Sequence, residues 1–320
     1  MNNISFLRAH KILSKVILQT PLIFDEHLSK KMNAKIFLKA ESLQRTGSFK
    51  IRGAYNHLYN TQKKYLKNGV LTWSSGNHAQ AVAEAANIFN TKSTIIMPKD
   101  APKNKIRGTL RRGAKIIFYD REKENREAIG KIIAKKYKLK IIPPYDDPFV
   151  ITGQGSIGVE IVQQITKLKL QPEIILVPTG GGGLIAGIAS YIKNSYKNAK
   201  IYSVEPEGYS DYAKSLEKGI RLKNKIKYNS ICDSLLAKEP GKITFSINKK
   251  LINKGLVVND KEVLKAMNYA LFNLGLVLEP GGAVALAALI EEKIKYKDKT
   301  IIIVLSGSNV DSQTLRKCIQ

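Results

Sequence analysis

The stretch Ser48-Phe49-Lys50-Ile51-Arg52-Gly53 opens a predicted helix, and the rest of the chain is interpreted around it. It follows a strand-like run over residues 35–40 and a polar turn over residues 44–47. Apolar side chains stand at positions 51, 54, 55 and 58, which is the spacing of one face of a helix. Ser48 is the expected N-cap, and the helix is expected to continue to about residue 66.

Lys50 is therefore expected in the first turn of that helix, near its positive dipole end. Arg45 and Arg52 are close in sequence. Both features disfavour another ammonium charge and should lower the pKa of the lysine. A neutral lysine amine is the group that Schiff-base chemistry requires. The hexamer alone favours an ordinary solvated lysine, so its interpretation depends on the other motifs of the chain.

The composition is that of a globular protein with an unusual charge. Of 320 residues, 43% are hydrophobic and 25% charged, but the net charge is +27. The basic residues are spread along the chain and interleaved with acidic ones, so nucleic-acid binding is only a minor alternative. Two distant cysteines and four histidines without ligand spacing favour a cytoplasmic protein without a zinc site. No apolar run is long enough to span a membrane, and no signal peptide is recognised.

Strand and helix signals alternate after the first helix, which predicts an α/β protein with mostly parallel sheets covered on both faces. Four strands, at residues 70–73, 93–97, 115–119 and 140–142, form a compact βαβ unit. We assign residues 69–146 to a small domain, and residues 1–68 and 147–320 to a large one. Helices are also expected at 4–16, 157–168, 184–196, 262–273 and 283–293, with strands at 173–177, 200–204 and 300–305. The segment from 205 to about 255 is expected to be irregular.

Four glycines, Gly180, Gly181, Gly182 and Gly183, lie between a predicted strand and a predicted helix. They allow the backbone to approach a ligand and turn its N–H groups inward, while the helix adds its dipole. This glycine loop is expected to hold an anion, most naturally a phosphate. A second interpretation is open, because the loop also satisfies G-x-G-x-x-A and Glu205 ends the next strand. That pattern is typical of an NAD-dependent dehydrogenase.

Three other polar segments follow predicted strands or precede helices. Residues 74–78, which we call the serine loop, could hold a carboxylate, although an ordinary Ser or Asn N-cap is favoured when the segment is taken alone. The Glu279-Pro280-Gly281-Gly282 segment could be only a tight helix entrance. Residues 306–309 lie where open α/β sheets bind ligands, although singly they suggest a plain turn.

In combination, these segments resemble the fold-type II pyridoxal-phosphate enzymes, and within them the threonine/serine dehydratase and serine racemase branch. The segments that carry the resemblance run in the family's order from the Lys50 hexamer through the serine loop, Gly153-Gln154-Gly155, the glycine loop and Glu279-Pro280 to residues 306–311. The chain resembles a short form without the regulatory domain of longer threonine dehydratases. The resemblance implies a tryptophan synthase β-like fold with the active site between the two domains.

The resemblance also implies roles for individual residues around pyridoxal 5'-phosphate. Lys50 would form the Schiff base with the cofactor and act as the base at the substrate Cα. Phe49 would pack on the pyridine ring, and Asn77 would bond its phenolic oxygen. The glycine loop would take the phosphate. Glu279 is placed in the cofactor site, and Ser306 would meet the ring nitrogen, which a hydroxyl leaves largely uncharged.

The implied substrate site consists of the serine loop, with Ser74, Ser75, Gly76, Asn77 and His78 around the substrate carboxylate. Ser75 matches the acid/base of the opposite face in racemases. Arg126 matches a family arginine near the substrate.

The resemblance further implies a site for Mg²⁺ or Ca²⁺, formed by Glu205, the Tyr209 carbonyl and Asp211. Two carboxylates and a carbonyl suit a hard cation. The alternative is a solvated acidic loop.

We therefore predict a threonine or serine dehydratase that converts a small hydroxy-amino acid to a 2-oxo acid and ammonia. A serine or aspartate racemase and a 3-hydroxyaspartate dehydratase of the same fold are the alternatives, and the dehydrogenase is a remote one. The resemblance also implies a homodimer.

Overall fold

The computed structural model describes residues 2–224 and 230–320, which form two open sheets covered by helices. The strands are β1 Leu22–Phe24, β2 Lys35–Lys39, β3 Val70–Trp73, β4 Ser93–Pro98, β5 Lys115–Tyr119, β6 Lys140–Ile141, β7 Ile174–Pro178, β8 Lys200–Pro206, β9 Lys254–Val258 and β10 Thr300–Val304. The α-helices are α1 Asn3–Leu13, α2 Glu26–Met32, α3 Lys50–Tyr59, α4 Lys63–Leu66, α5 Asn77–Ile88, α6 Lys103–Leu110, α7 Arg126–Tyr137, α8 Pro148–Lys167, α9 Gly183–Ser195, α10 Asp211–Lys218, α11 Lys242–Leu251, α12 Asp260–Leu274, α13 Pro280–Ile290 and α14 Ser312–Ile319.

The larger sheet has six strands in the order β1-β2-β10-β7-β8-β9. Only the β1–β2 pair is antiparallel, and the other four pairs are parallel. Every residue of β7 and β10 is buried, because helices cover both faces of the sheet. The α/β class and the mostly parallel sheets predicted from the sequence are confirmed.

The second sheet has four parallel strands in the order β5-β4-β3-β6. It is the βαβ unit expected between residues 70 and 142. Its strands are consecutive in the chain, whereas those of the larger sheet come from both sides of it. This arrangement is consistent with a small domain at residues 69–146, which stays a prediction.

The helix that carries Lys50 differs from its prediction at both ends. It spans Lys50–Tyr59 and is separated from α4, so it does not continue unbroken to residue 66. Ser48 is not its N-cap: that position belongs to Phe49, and Ser48 has extended backbone paired with Gly307. The pairing of Ser48 with the distant Gly307 thus takes the place of the helix cap expected from the local sequence. The predicted apolar face is correct, since Ile51, Ala54 and Leu58 are completely buried. Each large aliphatic side chain on such a face contributes about 1.5–3 kcal/mol of burial free energy.

The segment expected to be irregular up to about residue 255 contains α10, α11 and the start of β9. Residues 225–229 of that segment lie outside the described residues. Helix α8 begins at Pro148, nine residues before its prediction, because Asp147 caps it and Pro148 opens it. Its glycines, at positions 153, 155 and 158, obscured the helical pattern. They allow close packing instead, since a Cβ on Gly153 would lie 2.4 Å from the Arg52 carbonyl oxygen.

A buried cluster of four charges fixes α3 to α8 and β2. The Arg52 guanidinium donates to Glu41 Oε2 at 2.8 Å and to Glu160 Oε1 at 2.7 Å. Lys39 Nζ donates to Glu160 Oε2 at 2.6 Å. All four side chains are almost completely buried, and their charges sum to zero. Buried ions are tolerated when they are paired and hydrogen-bonded in this way.

No helix within residues 2–224 and 230–320 is both long enough and apolar enough to cross a membrane.

Candidate active site

Lys50 lies at the junction of the two sheets, where α3 begins. The neighbouring Phe49 N–H donates to the Ser306 carbonyl at 3.3 Å, which ties the start of α3 to the end of β10. The Lys50 amine donates to the Pro144 carbonyl at 2.9 Å, on the linker that leaves β6. The sequence-predicted residues Phe49, Lys50 and Ser306 are thus brought together.

The pKa of Lys50 is lowered to about 8, from an ordinary value of 10.5, because the amine is buried, and Glu279 opposes part of this effect. The direction agrees with the sequence argument, but the cause differs. Arg52 is neutralised within the buried charge cluster, and Arg45 pairs with Glu84 on α5. Desolvation, rather than neighbouring arginines, favours the neutral amine.

The glycine loop joins β7 to α9, at the same carboxyl edge of the sheet as Ser306. Gly182 is the N-cap of α9 with φ +90°, a left-handed conformation that favours glycine. A Cβ on Gly181 would lie 2.4 Å from the ring of Tyr145, so the loop also packs too closely for a side chain. These constraints explain why glycines stand at positions 181 and 182.

The serine loop joins β3 to α5. Gly76 is the N-cap, and no side chain caps the helix, so the ordinary Ser or Asn cap favoured for the isolated segment is wrong. The Ser74 hydroxyl accepts from the Gly76 N–H at 3.2 Å, and both Ser74 and Ser75 are half-buried. A Cβ on Gly76 would lie 2.6 Å from the side chain of Lys105.

Asn77 is held in one orientation by two partners. Its amide nitrogen donates to Glu279, and its amide oxygen accepts from Asn309 at 2.8 Å. Lys105 also donates to Glu279, at 3.2 Å. Burial raises the pKa of Glu279, and Lys105 opposes that rise. Asn77 and Glu279, predicted from distant segments, are therefore direct neighbours.

His78, the second residue of α5, stays neutral. Burial, followed by the Lys50 charge, lowers its pKa to about 3. Its Nε2 lies 3.2 Å from the carbonyl of Ile142, so this nitrogen carries the proton and donates it. A direct ionic bond from His78 to a substrate carboxylate is therefore excluded at neutral pH.

The helices that open into this cluster share one property. Helices α3, α5, α9 and α13 have no side-chain cap at their N-termini. Helices α4 and α6 also lack one, whereas α7, α8, α12 and α14 are each capped by an Asn or Asp side chain. Uncapped N-termini leave backbone N–H groups and a positive dipole end for an external anion.

Arg126 is the first residue of α7 and is half-buried. The described residues show no hydrogen bond from Arg126 to the cluster. Its charge acts on the Tyr145 phenol, where it opposes the burial that raises the pKa of that group. Arg126 thus lies on the small-sheet side of the site, reached through Tyr145.

Glu205 and Asp211 are both buried, and Tyr209 lies between them in the chain and is buried too. The Glu205 carboxylate accepts from the Tyr212 and Ala213 N–H groups at 2.8 and 2.7 Å, so it caps α10 and is not free to bind a ribose. This removes the acid that the dehydrogenase interpretation required. Asp211 Oδ2 is buried without a hydrogen-bond partner.

The electrostatics of this pair would suit a bound cation. Burial and then Asp211 raise the pKa of Glu205 well above its ordinary value, and burial raises that of Asp211 to about 7. Within residues 2–224 and 230–320, no group of three or more His, Cys, Asp or Glu side chains converges on one metal position. Two carboxylates and a backbone carbonyl are the set implied by the sequence, and Mg²⁺ or Ca²⁺ would complete its shell with water.

Several residues of the site carried no predicted role. Tyr145 packs on Gly181, and Gln154 is completely buried with both amide atoms unpartnered, 2.8 Å from a Cβ placed on Gly183. Lys105 Nζ joins Glu279 to Asp233, which lies at 2.7 Å. Gln154 belongs to the Gly153-Gln154-Gly155 segment of the resemblance, whereas Tyr145 lies at the end of the predicted small domain, where no motif is expected. Its position just after a strand end was the available signal.

Comparison with known proteins agrees with this geometry. The family described as "Pyridoxal-phosphate dependent enzyme" matches residues 13–307. The chain is 38% identical to the serine racemase of Schizosaccharomyces pombe over 303 residues, covering 95% of this chain and 92% of that protein. It is 37% identical to the L-threonine ammonia-lyase of Thermotoga maritima, over 97% of this chain and 76% of that protein. The crystal structure of a threonine deaminase from T.th. superposes with a TM-score of 0.91 at 33% identity, covering 97% and 99%. The chain therefore belongs to the family of pyridoxal-phosphate dependent enzymes.

Proposed function

We propose that the protein is an ammonia-lyase that converts L-threonine or L-serine to a 2-oxo acid and ammonia. The observation that carries the proposal is a buried amine of pKa about 8, at Lys50, among helix N-termini without side-chain caps. One such N-terminus, with the glycine loop, suits a phosphate, and another, with the serine loop, suits a carboxylate. An amino-acid substrate and a phosphorylated cofactor need both.

The residues present fit pyridoxal 5'-phosphate. The glycine loop opens α9, which has no side-chain cap and so leaves N–H groups for the phosphate, and a Cβ at Gly181 or Gly182 would collide with Tyr145 or Tyr212. Ser306 is buried at the end of β10, and its neutral hydroxyl would leave the ring nitrogen uncharged. Phe49 is also buried, beside Lys50, and would pack against the ring. When bound, the cofactor supplies the electron sink that weakens bonds at the substrate Cα.

The chain supplies orientation and proton transfer. Lys50 removes the Cα proton, and its lowered pKa keeps a useful fraction of the amine neutral near pH 7.5. The serine loop would bind the substrate carboxylate, and Asn77, fixed by Glu279 and Asn309, would bond the phenolic oxygen of the cofactor. Arg126 adds a positive charge on the small-sheet side. The β-hydroxyl leaves as water with the proton that Lys50 took from Cα, and the released enamine takes up water to give the 2-oxo acid and ammonia.

A cation site is a further part of the proposal. Glu205, the Tyr209 carbonyl and Asp211 would hold Mg²⁺ or Ca²⁺ at the start of α10, and the unpartnered Asp211 Oδ2 supports this assignment. A bound cation would neutralise the repulsion between the two buried carboxylates.

The test is 2-oxo acid formation from L-threonine, L-serine and L-threo-3-hydroxyaspartate by the purified protein. Activity is expected with the first two, together with the absorbance of a bound cofactor that borohydride bleaches. Lys50→Ala should lose both signals, and Lys63→Ala, at an exposed lysine on α4, should keep them. Absorbance and activity that survive in Lys50→Ala would contradict the proposal.

A serine racemase is the second candidate. It is favoured by the 38% identity to a protein of that name and by Ser75, half-buried in the serine loop, as a second acid/base. Chiral analysis of residual serine separates the two. Accumulation of D-serine faster than pyruvate would establish the racemase and overturn the lyase as the main activity.

A further inference from the structure

Helix α11 covers the carbonyl side of the glycine loop. Thr244 Oγ1 donates to the Gly181 carbonyl at 2.7 Å, and Asn248 Nδ2 donates to the Gly182 carbonyl at 3.1 Å. Both side chains are completely buried. Two consecutive carbonyls of the loop are therefore bound from behind by side chains more than sixty residues away in the chain.

Tyr212 joins these two side chains. Its hydroxyl accepts from Asn248 Nδ2 at 2.8 Å and donates to Thr244 Oγ1 at 3.1 Å. Tyr212 is completely buried, and a Cβ on Gly182 would lie 2.2 Å from its hydroxyl oxygen. The tyrosine is thus packed directly against the loop that it helps to hold.

The hydrogen bonds of this network can run in only one direction. A hydroxyl has a single proton, and an amide nitrogen has two. Thr244 uses its proton on Gly181, so the bond between the two hydroxyls takes the proton of Tyr212. Asn248 uses one proton on Tyr212 and the other on Gly182. The chain of donors from Asn248 through Tyr212 and Thr244 therefore ends on the Gly181 carbonyl, and the second Asn248 proton ends on the Gly182 carbonyl.

This direction affects the opposite side of the loop. The Gly181 carbonyl shares its peptide group with the Gly182 N–H, and the Gly182 carbonyl shares its own with the Gly183 N–H. A hydrogen bond accepted by a carbonyl polarises the peptide and strengthens the N–H as a donor, because hydrogen bonds in a chain reinforce one another. These N–H groups open α9, which has no side-chain cap.

We propose that Tyr212, Thr244 and Asn248 are positioning residues, which orient and polarise the glycine loop for the cofactor phosphate. This inference rests on the proposed function, since it takes the phosphate to be that of pyridoxal phosphate. The three residues do not touch the reacting atoms. They act through the peptide groups of Gly181 and Gly182.

The test compares Thr244→Val, Thr244→Ser and Asn248→Leu with the parent protein. One readout is the equilibrium affinity for pyridoxal phosphate, and the other is the rise in melting temperature that inorganic phosphate gives the cofactor-free protein. Thr244→Val and Asn248→Leu should each weaken pyridoxal phosphate binding roughly three- to tenfold, the value of one hydrogen bond, and reduce the phosphate shift. Thr244→Ser keeps the hydroxyl and should restore both.

Thr91→Val is the matched control, because Thr91 Oγ1 donates to the Leu66 carbonyl at 2.6 Å, in the connection before β4. This substitution should lower the stability of the protein without changing its affinity for pyridoxal phosphate or the phosphate-induced rise in melting temperature. Tyr212→Phe, which keeps the ring, decides the question if Thr244→Val does not fold, and it should also weaken phosphate binding. In a double-mutant cycle, the loss of affinity from Tyr212→Phe and Thr244→Val together should be smaller than the sum of the two single losses. Both substitutions interrupt the same chain of hydrogen bonds.

Parent-like affinity for both probes in Thr244→Val and Asn248→Leu would overturn the inference. If the parent binds inorganic phosphate but not pyridoxal phosphate, the proposed function fails, and the phosphate shifts of the variants still decide the role of the network. A parent that binds neither probe would overturn both proposals.

Discussion

Lys50 shows how one side chain acquires its chemistry from burial. Its buried amine donates to the Pro144 carbonyl, with Glu279 as the nearby opposite charge. Desolvation favours the neutral amine, and Glu279 favours the ammonium. Because desolvation is the larger effect, the pKa falls to about 8.

The first prediction concerns the pH dependence of this amine. In the cofactor-free protein, the rate of reaction with pyridoxal phosphate should rise with pH through about 8, where the amine loses its proton, and not near 10.5. At pH 7.5 about a quarter of the amine is then neutral, against about one part in a thousand for an ordinary lysine. The measurement is the rate of the absorbance change at a series of pH values.

Glu279→Gln removes the charge that stabilises the ammonium, so it should move the midpoint to lower pH. Glu291→Gln, at a surface ion pair with Lys265, is the control and should leave the midpoint where it is. A midpoint near 10.5 in the parent would show that Lys50 is not desolvated.

At the scale of elements, α10 and α11 connect the candidate cation site to the glycine loop. Glu205 caps α10 through the N–H groups of Tyr212 and Ala213, and Tyr212 reaches α11 through Thr244 and Asn248. Asp146 in turn accepts from three N–H groups at the start of α11. The glycine loop is thus supported by helices whose N-termini are themselves held by carboxylates.

The second prediction is that a divalent cation stabilises this part of the fold. Chelator should lower the melting temperature and the activity together, because the empty site leaves Glu205 and Asp211 to repel each other. A cation at a hundredfold excess over its dissociation constant adds about 2.7 kcal/mol to the free energy of unfolding. Asp211→Asn should no longer respond to chelator. An unchanged melting temperature in the chelated parent would show that no cation is bound there.

At the scale of the whole molecule, Lys105 joins the two sheets. It lies on α6 beside the four-stranded sheet, and its amine bonds Asp233 and Glu279 of the segments that belong with the six-stranded sheet. These acids raise the pKa of Lys105 against the effect of its burial. Asn77, at the start of α5, also bonds Glu279. One carboxylate therefore receives bonds from two helices of the small-sheet region.

The third prediction follows from this junction. Lys105→Met should lower the free energy of unfolding by about 3 kcal/mol, because it leaves the buried Glu279 without its cation. Lys103→Met, at an exposed position on the same helix, should change it by less than about 0.5 kcal/mol. Chemical denaturation of both variants measures the difference. Equal stabilities would show that the Lys105 ion pairs contribute nothing to joining the sheets.

The sequence by itself determined the features that depend on local periodicity and on motif chemistry. The apolar face of α3, the four strands of the second sheet and the glycine turn between β7 and α9 all follow from residues close in the chain. The pyridoxal-phosphate family followed from the order of the motifs. The homodimer, the domain boundaries and the roles of individual residues stay predictions.

Only the tertiary structure decided which groups face one another. Ser48 lost its role as a helix cap because Gly307, far along the chain, pairs with its backbone. Arg52 pairs with Glu41 and Glu160 and not with groups near Lys50. The pKa of Lys50 is therefore lowered by burial and not by the charge of Arg52. Thr244 and Asn248 lie on a helix whose weak local signal gave no prediction, and their partners are the glycine carbonyls. Burial and hydrogen-bond partners arise from contacts between distant segments, and no local pattern encodes them.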